Sequence, residues 1–134
     1  MSNFSRYNAK ESLIVVDGVY ITGLGEDFWS FEKQESLAEN SVGAQGDVVR
    51  NEINNTLWDA TITVQATSPQ ANYLFSLANR TEPFPLWNIN KFLGRKEGGT
   101  MALMSDYPSD EQGSSAGELE FVFTVYDGDI VVEE

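Results

Sequence analysis

The sequence predicts a mainly β fold, an antiparallel sandwich or barrel with one flanking α-helix, in a single domain spanning residues 1–134. Three observations predict it. Two long segments alternate dry and wet side chains with period two, short β-branched runs recur between turn-forming residues, and only one stretch carries helical spacing. A chain of 134 residues suits one core, and its 41% hydrophobic content is well above that of a disordered chain.

From the start of the chain, residues 12–16 and 19–22 are β-branched runs around Asp17-Gly18, a dipeptide suited to a tight hairpin. Residues 28–35 begin Phe-Trp-Ser-Phe with a period nearer two than 3.6, so a half-exposed strand is expected. Residues 36–46 hold small residues, two glycines and no periodicity, which reads as a long loop. A short strand is expected at 47–51, with a turn at Asn54-Asn55.

The clearest element covers residues 57–67. There Trp58, Ala60, Ile62, Val64 and Ala66 alternate with Asp59, Thr61, Thr63, Gln65 and Thr67. Ser68-Pro69 suits an N-cap followed by a first helical residue, and Ala71, Leu74, Phe75 and Ala78 follow at helical spacing. A helix of about three turns ending near Asn79-Arg80 is expected.

Alternation resumes at 86–92, after Pro83 and Pro85. Residues 94–99 read as a turn, 100–104 as a short strand and 105–117 as a loop. The last strong strand sets Leu119, Phe121, Phe123 and Val125 against Glu118, Glu120, Val122 and Thr124, and residues 127–134 read as a terminal strand or an arm.

Composition narrows the chemistry. Cysteine and histidine are both absent, which removes disulfides, thiolate nucleophiles, imidazole bases and the preferred transition-metal ligands. A non-catalytic protein without cofactors is therefore expected. Neither a secretory signal at Met1-Ser2-Asn3-Phe4 nor a long apolar run is visible, so synthesis and retention in the cytoplasm, with no membrane contact, are expected. The 21 acidic and 8 basic residues give a net charge of −13, which disfavours tight nucleic-acid binding.

Other constellations are weaker. Glu118/Glu120 and Asp127/Asp129 could in principle form a glycosidase pair, but each shares one face of one strand and reads as a solvated face. Asp106, Asp110 and Glu111, or Asp127 and Asp129, fit no calcium-loop pattern. Gly23-Leu24-Gly25 and the glycines at 43 and 46 lack phosphate-loop spacing. Phe28, Trp29 and Phe31 suit a sugar platform less well than a core or subunit contact.

Four stretches taken in order resemble the tail tube proteins of contractile-tailed phages, relatives of type VI secretion tube proteins. They are Asp17-Gly18-Val19-Tyr20-Ile21-Thr22-Gly23, Phe28-Trp29-Ser30-Phe31-Glu32-Lys33, Val42-Gly43-Ala44-Gln45-Gly46-Asp47-Val48-Val49-Arg50, and Thr67-Ser68-Pro69-Gln70-Ala71-Asn72-Tyr73-Leu74-Phe75-Ser76-Leu77-Ala78. The resemblance implies a structural virion protein, assembled in the host cytoplasm into six-membered rings that stack as a tail tube for DNA ejection. The sheath, baseplate, tail-terminator and tape measure proteins are its implied partners, and DNA passes the lumen transiently.

On that reading Asp59, Thr61, Thr63, Gln65, Glu118 and Glu120 are candidates for an acidic lumen. Ser36, Leu37, Val42, Gly43, Gln45 and Gly46 are implied to contact the next ring, with both termini as further inter-subunit arms, and the helix is implied to face the sheath. Two alternatives stand beside it: the tube of a phage-derived bacteriocin or injection device, and a monomeric carbohydrate-binding β-sandwich.

Overall fold

A computed structural model describes residues 12–35, 37–52, 56–106, 108 and 117–132. Strands β1 (Ser12–Val16) and β2 (Val19–Ile21) form the opening hairpin. Asp17 and Gly18 turn it at φ of 50° and 80°, the left-handed pair that matches the twist of adjoining strands.

β3 (Leu24–Lys33) and β6 (Trp58–Gln65) are antiparallel neighbours, and the separate hairpin β4 (Ala38–Val42) and β5 (Val48–Glu52) is inserted between them in sequence. α1 (Ala71–Ser76) runs into a 3₁₀ turn at Leu77–Asn79, and β7 (Phe84–Asn90), β8 (Arg95–Asp106), β9 (Glu118–Val125) and β10 (Asp129–Val132) follow. The main sheet is antiparallel in the order β2-β1-β7-β8-β9-β6-β3, with β10 on β8. It curls until Trp29 on one edge strand donates its indole N–H to Glu97 of β8 at 3.0 Å. The mainly β architecture with one short helix is the expected fold.

Alternation produces the core. Ala60, Ile62 and Val64 of β6 share one face with Leu119, Phe121, Phe123 and Val125 of β9, and all seven are buried. Leu74 and Leu77 cover them from the helix. Phe75 meets Phe121 edge-on with centroids 5.1 Å apart, and Phe84 meets Phe123 at 6.0 Å. Each ring buried this way contributes roughly 1.5–3 kcal/mol.

Several expectations are corrected. The loop expected at 36–46 is half of the β4–β5 hairpin, with its turn at 43–47, because Gly43 N–H bonds Asp47 O at 2.7 Å and Gly46 N–H closes back on Gly43 O. Ala38, Asn40 and Val42 pair with Glu52, Arg50 and Val48, a cross-strand pattern invisible to a reading of one segment alone. The helix starts at Ala71 and is shorter than expected. Ser68 donates its hydroxyl to Thr22 O at 2.6 Å while accepting from Gln70 N at 3.3 Å, so it fastens a turn to the end of β2.

The turn expected at 94–99 lies at 91–94, and β8 begins at Arg95, five residues before the expected strand. Gly98 and Gly99 sit inside that strand. Gly98 adopts φ 138°, and a Cβ there would collide with the carbonyl oxygen of Leu86 across the ladder, so the glycine permits the close approach of β7 and β8. Pro85, which has no N–H to offer, sits where the β7–β8 register shifts, and its carbonyl accepts from Asp17 N at 2.8 Å. The expected N-terminal arm, Ser36, Asp110 and Glu111 lie outside the described residues. Residues 129–132 pair with the chain's own β8.

Candidate functional site

The pleat of β6 sends Asp59, Thr61, Thr63 and Gln65 to the face opposite the core, and register sets them against Thr124, Val122, Glu120 and Glu118 of β9. The six residues singled out in the sequence therefore occupy one continuous surface. β3 extends it, since Ser30 lies opposite Thr61 and Glu32 opposite Asp59. Both were missed earlier, although their alternation with Phe31 was visible. Thr63 differs from the others in being only 8% exposed, where the backbone of Gly25 crosses over it.

Four carboxylates, Glu32, Asp59, Glu118 and Glu120, stand on this face, and none of these strand positions holds Lys or Arg. Glu32 and Asp59 are direct cross-strand partners, an arrangement that destabilises a sheet. Gln34 relieves it partly by donating its amide to Asp59 at 2.9 Å. Glu118 accepts from the backbone N–H of Glu26 at 3.0 Å.

The β4–β5 hairpin is the second notable feature. Among the described residues no strand pairing joins it to the main sheet, every residue of β5 is exposed, and Val42 and Val48 remain 68% and 66% exposed. Leu37, Gly43, Gln45 and Gly46 lie on it or beside it, and all are exposed.

Chemistry in the remaining clefts is sparse. A cavity of about 400 Å³ at one end of the curled sheet is lined by Glu26, Asp27, Arg95, Glu97 and the amides of Asn88 and Asn90. Glu97 is occupied by Trp29, and Asn90 donates to Ser12 at 2.9 Å, so neither is poised as base or nucleophile. Trp29, Phe31 and Trp58 stack in series, with centroids 5.7 and 4.5 Å apart, against the core rather than as a platform open to sugar.

Asp127 is a junction. It accepts the N–H groups of Thr100 and Met101 at 3.0 and 2.9 Å, together with the Thr100 hydroxyl. Burial raises its pKa, but the hydrogen bonds from the Thr100 hydroxyl and from backbone N–H groups outweigh it and hold the carboxyl below its usual value. Among the described residues no cluster of His, Cys, Asp or Glu is arranged to hold a metal, and no helix is long and apolar enough to cross a membrane.

No protein-family model and no curated protein matches the sequence. Solved structures do match in shape. The sheath/tube terminator of the PVC extracellular contractile injection system, in its extended state, superposes with a TM-score of 0.62 at 11% identity, over 98% of this chain and 100% of the other. The tube-terminating cap of the anti-feeding prophage gives 0.61 at 9% identity, over 98% and 95%. A chain of the PVC sheath–tube complex, also extended, gives 0.59 at 12% identity, over 95% and 92%. At such identities the likeness establishes a shared fold along nearly the whole chain, that of components of contractile injection systems.

Proposed function

We propose that this chain is a non-catalytic, ring-forming subunit of the tube of a contractile tail. The observation that carries the reading is the four-carboxylate face of β3, β6 and β9, backed by a dry core and kept despite the Glu32–Asp59 repulsion. A strand wet on one side and dry on the other can line a water-filled bore. Six copies would place 24 carboxylates around that bore, four from each copy, and an anionic wall repels phosphates so that DNA slides instead of sticking.

The shared fold with tube and terminator components supports a place in the tail beside tube and sheath components. On the proposed reading the chain also meets baseplate and tape measure proteins and assembles in the host cytoplasm. A second reading, the terminating collar of an injection device, is favoured by the full-length superposition on two terminator proteins. Negative-stain microscopy of the purified chain tests both. Stacked tubes support the tube reading and single rings support the collar, whereas a monomer at high concentration refutes ring formation.

A further inference from the structure

We infer that the cavity at one end of the curled sheet is a binding site for a small organic dication of the aliphatic diamine class. Its lining among the described residues comes from one copy of the chain, so the site stands apart from the ring reading.

The floor of the cavity arises because neighbouring strands turn polar together. The inward positions of β7 run Phe84, Leu86, Asn88, Asn90. Register sets Ser12 of β1 and Arg95 of β8 beside Asn90, and Glu97 of β8 beside Asn88. These positions are not simply the wet ends of strands, since Ser12, Asn88 and Asn90 are only 8%, 5% and 7% exposed. Polar groups at that depth have to be matched by hydrogen bonds.

Asn90 is matched. Its Nδ2 donates to Ser12 Oγ at 2.9 Å, and its Oδ1 accepts from Leu93 N at 3.0 Å. Asn88 lines the same cavity, but its Oδ1 is buried with no hydrogen-bond partner among the described residues. An amide oxygen orphaned in this way is costly and calls for a donor from outside the chain. The space of about 400 Å³ exceeds what one water fills, about 30 Å³, and falls within the roughly 300–1,000 Å³ of small-molecule sites.

The opposite wall selects the donor. The β3–β6 register shifts between Leu24 and Trp29, and Glu26, Asp27 and Phe28 from that irregular stretch line the cavity with Trp29. Among the described residues three carboxylates, Glu26, Asp27 and Glu97, face one guanidinium, Arg95, a surplus of two negative charges. No three of His, Cys, Asp and Glu among the described residues are arranged to hold a metal ion, so the acids suit separated positive charges better than a single ion.

A diamine meets each of these demands. One ammonium donates to Asn88 Oδ1 and to Glu97, whose carboxylate keeps acceptor capacity beyond its bond from the Trp29 indole. The methylene chain lies along Phe28 and Trp29, and the second ammonium meets Glu26 and Asp27, which are exposed at the mouth.

Isothermal titration calorimetry of the full chain with 1,4-diaminobutane tests the site, in about 150 mM NaCl to screen diffuse attraction to the acidic surface. One saturable site per chain is expected, with the neutral 1,4-butanediol binding at least about tenfold more weakly. Asn88→Leu and Glu97→Gln should each weaken the diamine about tenfold or more, whereas Glu82→Gln, before the far end of β7, should leave it unchanged. The diamine–diol comparison uses the unaltered chain, so it decides even where a variant unfolds. No saturable heat, diol binding as tight as diamine, or equal affinity in all three variants overturns the proposal and leaves the cavity to water. Calcium binding there in place of the diamine overturns it as well.

Discussion

Gly98→Ala isolates the contact that sets the spacing of β7 and β8. The residue sits at φ 138°, and an added methyl would lie against the Leu86 carbonyl and the Trp87 backbone. Backbone strain at such a φ costs about 1–3 kcal/mol. Moving β7 away weakens one or two ladder hydrogen bonds, at about 1 kcal/mol each. The expected loss is about 2–5 kcal/mol, a large part of the roughly 5–15 kcal/mol that holds a domain together. At this size it lowers Tm by about 10–20 °C.

Gly18→Ala supplies the reference. Gly18 has φ 80° with nothing within 4 Å of the added methyl, so its variant carries strain alone and should lose about 1 kcal/mol. Urea unfolding followed by circular dichroism measures both. Equal losses in the two variants would refute the steric account of Gly98.

Three further outcomes are expected. Phe121→Ala should cost about 3–5 kcal/mol in the same assay, since the ring is buried against Phe75. The Asp127 carboxylate, held below its usual pKa, adds stability that is fully present above the unfolded value near 3.8 and fades as pH falls through the lower folded value. The urea midpoint of Asp127→Asn should thus lie below that of the parent at neutral pH, and the gap should narrow below about pH 4. Glu32→Lys should act with opposite signs on two measurements: it replaces a like-charge partner of Asp59, raising monomer stability by a few tenths of a kcal/mol (roughly), and it adds cations to the proposed bore, slowing DNA ejection from assembled particles. Unchanged ejection would count against the repulsive wall.

Much of the fold could be read from residues alone because it depends on local periodicity. The alternation in β6 and β9 placed Ala60, Ile62, Phe121 and Phe123 in the core and the six polar candidates on the other face, since a pleated strand leaves no third direction for a side chain. Asp17-Gly18 marked its hairpin because few dipeptides tolerate two successive left-handed residues.

Tertiary structure decided what depends on partners distant in sequence. The β4–β5 hairpin has weak internal periodicity and exists through cross-strand pairs. Gly98 looked like a turn residue until β7 was found pressed against it, and Ser68 looked like a plain cap until Thr22 claimed its hydroxyl. The facing of β7 was decided in the same way: its alternation is plain in sequence, but a period of two leaves open which set points inward. The pairing of Ser12 with Asn90 and Leu86 with Val16 turned Trp87 and Ile89 outward, because one register satisfies a whole ladder at once.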